Sequence, residues 1–106
     1  MTLEEIIKEG NEIRLLRNTD LYQKVITADL VSGLMFCAAY NRARFFKYFK
    51  HQLNQKSRKG WTAMMFAADF GHVQMVKLLI KEANQRDNVG FTALMRAAMR
   101  NHCDVI

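Results

Sequence analysis

The most regular feature of the chain is a block of small and apolar residues that occurs twice. Residues 60–68 read Gly-Trp-Thr-Ala-Met-Met-Phe-Ala-Ala and residues 90–98 read Gly-Phe-Thr-Ala-Leu-Met-Arg-Ala-Ala, which gives a period of 30 residues (90 − 60). The same spacing relates Gly71 to Asn101, His72 to His102 and Val76 to Ile106. A period of this length is typical of repeat proteins, in which each unit stacks on its neighbours.

Two earlier segments match this block less closely. Residues 34–39 match residues 63–68 at a spacing of 29, and residues 45–49 match residues 75–79 at a spacing of 30, which predicts one deleted turn residue. Residues 6–11, followed by apolar Ile13, Leu15 and Leu16, match residues 67–72. We therefore treat residues 1–106 as one domain with an N-terminal capping repeat at 1–30, a degenerate repeat at 31–59, a repeat at 60–89 and a truncated repeat at 90–106.

Each unit shows the pattern of two short antiparallel helices. Thr62 is placed to accept a backbone N–H bond as the N-cap of the first helix, and Gly71 is placed to end it. The small apolar residues between them give a face on which neighbouring helices can approach closely. A second helix is predicted from about residue 72 to residue 81, with one buried stripe formed by Val73, Val76, Leu79 and Ile80.

Turns follow the second helices. Residues 87–90 have aspartate first and glycine last, the pattern of a type I turn, and residues 57–60 are their equivalent one unit earlier. We expect these turns to project as fingertips. Because one helix pair cannot bury its apolar face alone, the predicted fold is an all-α solenoid of three to four stacked helix–turn–helix units, the last of them truncated.

These residues resemble the ankyrin-repeat family. Its pattern is matched by Gly60, Thr62, Ala67, Ala68, Gly71, His72, Val76, Leu78 and Leu79, and again by Gly90, Thr92, Leu94, Ala97, Ala98 and His102. The family's Pro-Leu-His is replaced by Ala63-Met64-Met65, and the period is about three residues shorter than the usual 33. Such compact, methionine-rich repeats are similar to those of ankyrin proteins in some protists, which are repeat arrays alone or arrays attached to a protein kinase.

The resemblance implies a non-enzymatic protein-interaction module or scaffold that binds another protein through the fingertips and the concave face of the first helices. Mapped onto this chain, the contact residues are Arg58, Lys59, Trp61, Asp69 and Phe70 in one unit and Asn88, Val89, Phe91, Met99 and Arg100 in the next. Trp61 and Phe70 stand out because large aromatic side chains dominate interface energies. The alternative for Trp61 and Phe91 is that they pack on the turn and stabilise it. A regulatory segment of a larger protein such as a kinase is the alternative function.

Charge adds a second alternative. The net charge is +6, every residue from 30 to 68 is neutral or basic, and seven cations lie among residues 42–59. Such a basic surface could bind nucleic acid or an acidic lipid surface. However, Phe45, Phe46 and Phe49 align with apolar core positions, so that Lys47 and Lys50 are expected on an ordinary solvated exterior. An acidic protein surface is the favoured partner.

No catalytic, cofactor or metal site is predicted. His72 and His102 lie one unit apart without a third ligand, and the resemblance implies that each makes backbone hydrogen bonds at its inter-helix turn. Cys37 and Cys103 have no CxxC partner and are expected to be free thiols. The N-terminus is acidic and no long apolar run occurs, so we expect a cytoplasmic protein. The edge formed by Leu94, Met95 and Ala98 is expected to support self-association.

Overall fold

The computed structural model describes residues 3–10 and 31–102. Within them it contains six α-helices and no strand: α1 Leu3–Glu9, α2 Gly33–Ala39, α3 Phe46–Phe49, α4 Ala63–Asp69, α5 Val73–Leu78 and α6 Ala93–Met99. Short 3-10 helices at Ala43–Phe45, Lys50–Gln52 and Ile80–Glu82 complete the second helices. Ile13, Leu15 and Leu16 of the expected capping repeat, together with Cys103 and Ile106, lie outside the described residues.

The first helices of the units stack in a row, with α1 on α2, α2 on α4, and α4 on α6. Ser32, Thr62 and Thr92 cap three of them, each accepting a hydrogen bond from a backbone N–H three residues later. At the first two of these caps, the backbone N–H of the cap residue also donates to the Sδ of the methionine three residues later, Met35 or Met65, at 3.4 Å. The all-α solenoid and the Thr62 cap are thus confirmed.

The spacing of 29 residues between the second and third units was wrong. Ser32 and Thr62 are equivalent N-caps, and Phe45 and Met75 are equivalent buried residues, so the spacing is 30 throughout and no turn residue is deleted. The sequence match placed two alanines over Ala67 and Ala68. In the fold, fully buried Cys37 takes the place of Ala67, because its small side chain also lets the helices approach.

The core follows the stack. Ile6 and Ile7 of α1, the small residues of the first helices, and Phe45, Phe49, Met75 and Leu79 of the second helices are buried. Phe45 and Phe49 are therefore core residues, as predicted. Phe46 is only partly buried, and the Lys50 ammonium lies 5.9 Å from its ring centroid. Cys37 is a buried free thiol whose pKa is raised by burial.

The turn between the two helices of each unit repeats one geometry. Asn41, Gly71 and Asn101 adopt φ of 57°, 76° and 61°, the left-handed region that glycine and asparagine tolerate best. The next residue reaches back to the preceding unit: His72 Nε2 lies 3.0 Å from the carbonyl oxygen of Ala39, and His102 Nε2 lies 2.9 Å from that of Asp69. Backbone hydrogen bonds by both histidines are confirmed.

A buried acceptor ties the two helices of each unit together. Gln52 Oε1 accepts a hydrogen bond from the N–H of Leu34 at 2.9 Å. One unit later, Glu82 Oε1 accepts from the N–H of Met64 at 2.9 Å and its Oε2 accepts from the N–H of Asn54 at 2.8 Å. Burial raises the pKa of Glu82, although the two backbone N–H groups oppose that shift.

Candidate partner-binding face

The fingertips are two tight turns held side by side. The N–H of Gly60 donates to the carbonyl of Ser57 at 2.9 Å and that of Gly90 to the carbonyl of Asp87 at 3.0 Å, which closes both predicted turns. Asn88 joins them, since its Nδ2 donates to the carbonyl of Arg58 at 3.0 Å and its N–H to that of Lys59. Asn88 is exposed, but its side-chain amide and its backbone N–H are hydrogen-bonded to the neighbouring turn.

Several expected contact residues do face solvent. Phe70, Val89 and Met99 are 53%, 73% and 61% exposed, and Arg58, Lys59 and Arg100 are also exposed. Residues three and four apart share one side of a helix, so that Phe70 lies beside Phe66 at the end of α4, and Met99 and Arg100 lie beside Arg96 on α6. We call the surface formed by Phe66, Phe70, Arg96, Met99 and Arg100 the first-helix face.

Trp61 and Phe91 lie where the fingertips meet this face, and both are partly buried. The Trp61 ring centroid is 5.0 Å from that of Phe66. The Arg96 guanidinium lies 4.7 Å from the Trp61 centroid and 4.9 Å from the Phe91 centroid. The two aromatic rings therefore pack on the turns and clamp Arg96.

Arg96 is held by a carboxylate that the sequence did not single out as a site residue. Arg96 Nε donates to Asp87 Oδ2 at 3.0 Å, and its Nη2 donates to the same oxygen. Asp87 Oδ1 accepts from the N–H groups of Val89 and Phe91, both at 2.9 Å. Burial opposes ionisation of Asp87, but these hydrogen bonds outweigh it and lower the pKa of the carboxyl. The turn pattern of residues 87–90 identified Asp87 as a turn residue. The spacing of residues along the chain did not indicate that its partner would be Arg96, nine residues later.

Asp69 plays a similar supporting role. It is 9% exposed, and its Oδ1 accepts a hydrogen bond from Arg100 Nε at 3.1 Å. The Arg100 side chain is 64% exposed above it. Asp69, expected to meet a partner, is instead covered and orients the arginine that faces solvent.

Two cavities open along this face. One of about 240 Å³ is lined by Val31, Ser57, Lys59, Trp61 and Phe66. The other, of about 330 Å³, is lined by Trp61, Asp69, Arg96, Met99 and Arg100. Val31 and Phe66 did not emerge from the sequence as site residues, because Val31 replaces an aromatic residue of the later units and Phe66 sits among core positions.

A family model described as ankyrin repeats (3 copies) matches residues 34–106, more than half of the chain. This chain belongs to the ankyrin-repeat family. A search of curated proteins found no match. Ankyrin repeats generally act as protein–protein interaction modules and are typically non-enzymatic.

The exposed charges of residues 31–102 are of one sign. Residues 31–102 contain twelve lysines and arginines and three carboxylates, and all three carboxylates are buried: Asp69, Glu82 and Asp87. The exposed charges in this part of the chain are therefore all positive. They are carried by Arg44, Lys47, Lys50, Lys56, Arg58, Lys59, Lys77, Lys81, Arg86 and Arg100.

Other surfaces of the ankyrin units offer less chemistry. Among residues 3–10 and 31–102, no three His, Cys, Asp or Glu side chains come together as a metal site would require. No helix within those ranges is long and apolar enough to cross a membrane. Leu94 and Met95 are each 41% exposed and Ala98 is also exposed on α6. Self-association through that edge stays a prediction.

Proposed function

We propose that this ankyrin array is a non-enzymatic protein-interaction module whose partner contacts the fingertips and the first-helix face. The direct contacts would come from Arg58, Lys59, Phe70, Val89, Met99 and Arg100. Trp61, Phe91, Asn88 and Asp69 would hold those residues in place. The observation that supports this most strongly is that Phe70, Val89 and Met99 are each more than half exposed, together with the exposed cations Arg58, Lys59 and Arg100.

The rigidity of the face supports the same proposal. The fingers are tied to each other through Asn88, and the fourth unit is tied to the third through Arg96 and Trp61. A surface that is already ordered loses less conformational entropy when a partner binds. Exposed aromatic and methionine side chains on such a surface can then contribute most of the binding energy.

The test is capture of a partner from a matched cell lysate by the intact chain and by a Phe70→Ser, Met99→Ser variant. Truncating central apolar contacts typically costs about 2 kcal/mol or more each, so we expect partner recovery to fall by at least about tenfold. Captured proteins would be identified by mass spectrometry. Both changed residues are exposed, so that the fold should be kept, whereas a change at partly buried Trp61 would test folding as well.

A matched control lies on the second helices. Leu78 and Ile80 are 39% and 60% exposed there, away from the fingertips. A Leu78→Ser, Ile80→Ser variant removes a similar apolar area and should capture the partner as well as the unchanged chain does. Equal losses in both variants, or a loss in the control alone, would contradict the proposed face.

A further inference from the structure

The cavity lined by Val31, Trp61 and Phe66 and the cavity lined by Trp61, Arg96 and Arg100 are related by the repeat. Val31 and Phe66 of the first occupy the positions that Trp61 and Arg96 occupy in the second, one unit of 30 residues later. Trp61 forms a wall of both. The two cavities therefore adjoin at Trp61, and we call the surface that contains both of them the groove.

We infer that this groove binds an extended acidic protein segment, with one apolar side chain in the first cavity and one carboxylate at Arg100 in the second. The inference rests on the proposed function and names the chemistry of the partner. Packed helices lie about 8–10 Å apart, and an extended segment in the polyproline II conformation advances about 3.1 Å per residue with three residues per turn, so that residues three apart face the same side. The apolar and the acidic side chain would thus stand about three residues apart.

The first cavity suits an aliphatic or aromatic side chain. Val31, Trp61 and Phe66 line it together with Ser57 and Lys59, and at about 240 Å³ it is large enough for one side chain. Lys59 lies at its edge and is exposed. An acidic residue next to the anchor would meet that ammonium.

The second cavity suits a carboxylate. Arg100 donates its Nε to buried Asp69 and keeps most of its side chain in solvent. The guanidinium fork can present its remaining N–H groups to a second carboxylate, which it binds with defined geometry. The flexible side chain of Met99 forms part of the wall.

Charge and stacking together favour a protein segment over nucleic acid. The exposed charges of residues 31–102 are all cationic, which fits any polyanion. However, single-stranded nucleic acid binds by stacking bases on free aromatic faces. The Trp61 ring is already in contact with the Phe66 ring, at a centroid distance of 5.0 Å, and with the Arg96 guanidinium at 4.7 Å, which leaves less of its surface for a base.

The test begins with selection from a random 12-residue peptide library displayed on phage, using the intact chain. We expect enrichment of acidic peptides that carry a large apolar residue three positions from a glutamate or aspartate. The best peptide would be synthesised, and its affinity measured by fluorescence polarisation. Its apolar→Ser and acid→amide versions should each bind about tenfold less tightly.

Two variants copy neighbouring units. Val31→Phe should fill the first cavity, and the equivalent positions already hold Trp61 and Phe91. Asp69→Ala, Arg100→Phe reproduces the pair Ala39 and Phe70 of the preceding unit and leaves the net charge unchanged. The first variant should lose about tenfold in affinity and no longer distinguish the apolar→Ser peptide. The Asp69→Ala, Arg100→Phe variant should also lose about tenfold in affinity, and it should no longer distinguish the acid→amide peptide from the unchanged peptide.

Lys77→Gln, on the second helices, is the control for charge alone and should change affinity by less than about twofold. Selected peptides without the apolar–acidic spacing, or an unchanged affinity in both cavity variants, would overturn the inference. A labelled 20-nucleotide single-stranded DNA that bound more tightly than the best peptide would also overturn it. If the inference fails while the Phe70→Ser, Met99→Ser variant still loses a partner protein, the proposed function stands without it.

Discussion

Residues at equivalent positions of successive units differ in chemistry but keep their place. Ser57 and Phe66 correspond to Asp87 and Arg96, which lie 30 residues later. Ser57 Oγ accepts from the N–H of Trp61 at 3.2 Å, as Asp87 does from that of Phe91. The aspartate has thus kept the turn contact and gained an ion pair with Arg96.

This correspondence allows a double-mutant cycle. Arg96→Phe leaves the Asp87 carboxylate buried without its cation, and we expect a loss of about 3 kcal/mol in the free energy of unfolding. Asp87→Ser should cost less, about 1–2 kcal/mol, because Arg96 can still reach water. The double variant copies the Ser57 and Phe66 pair and should recover about 2 kcal/mol relative to additivity, as measured by urea unfolding. Additive losses would contradict the coupling.

Glu82 and Gln52 form a second matched pair. Because burial raises the pKa of Glu82, its carboxyl keeps its proton to a higher pH in the folded chain than in the unfolded chain. Its contribution to stability is fully present below the usual glutamic pKa of about 4.3 and is lost as pH rises through the raised folded value. The free energy of unfolding of the unchanged chain should fall in that window relative to Glu82→Gln. Asp87 acts with the opposite sign, since its lowered pKa stabilises the fold above its unfolded pKa.

The reciprocal variant checks the assignment. Gln52→Glu places a carboxyl at the equivalent buried position and should add a second loss of stability with rising pH. Urea unfolding at a series of pH values gives both comparisons. Parallel pH curves for Glu82→Gln and the unchanged chain would show that Glu82 does not titrate with a shifted pKa.

At the scale of helices and turns, the sequence predicted most of the fold. The 30-residue period, the Thr62 cap and the glycine-ended turns all follow from local residue preferences, which act within a few neighbours. The second helices were less well predicted. They break into short α and 3-10 segments at residues 78–82, and Ile80, expected on the buried stripe, is 60% exposed. The Asp87–Arg96 pair and the two cavities require residues of different elements to meet, and spacing along the chain does not encode that contact.

The inter-helix turns carry a ladder of contacts between units. Arg42 Nε donates to the carbonyl of Ile7 at 2.9 Å, in the place that His72 occupies one unit later. His72→Ala should therefore destabilise the array by about 1 kcal/mol, whereas His72→Arg should cost less because arginine can make the same kind of bond. Thermal unfolding would compare them. Equal losses in both variants would mean that this ladder does not depend on the hydrogen bond.

His72 also connects this ladder to the candidate site. Its ring lies 6.1 Å from that of exposed Phe70, at an interplanar angle of 26°. A change at His72 can thus alter both stability and the position of a proposed contact residue. Binding measurements on His72 variants should be read together with their unfolding curves.

Across the whole molecule, charge is divided along the chain. On α1, exposed Glu4, Glu5 and Glu9 outnumber exposed Lys8, whereas the exposed charges of residues 31–102 are all positive. An acidic partner should be drawn toward the ankyrin units by this field. The association rate should fall about tenfold or more between 20 and 300 mM salt, while the dissociation rate changes much less. A flat association rate in stopped-flow or surface-binding measurements would contradict an acidic partner.

The central claim is that a partner protein contacts the fingertips and the first-helix face, and site-specific photo-crosslinking tests it most directly. A benzophenone amino acid would replace exposed Phe70 in one protein, Val89 in a second and Lys81 of the second helices in a third. We expect the same partner to be crosslinked from Phe70 and Val89 and not from Lys81. Crosslinking from Lys81 alone would place the partner on the second helices and contradict the account.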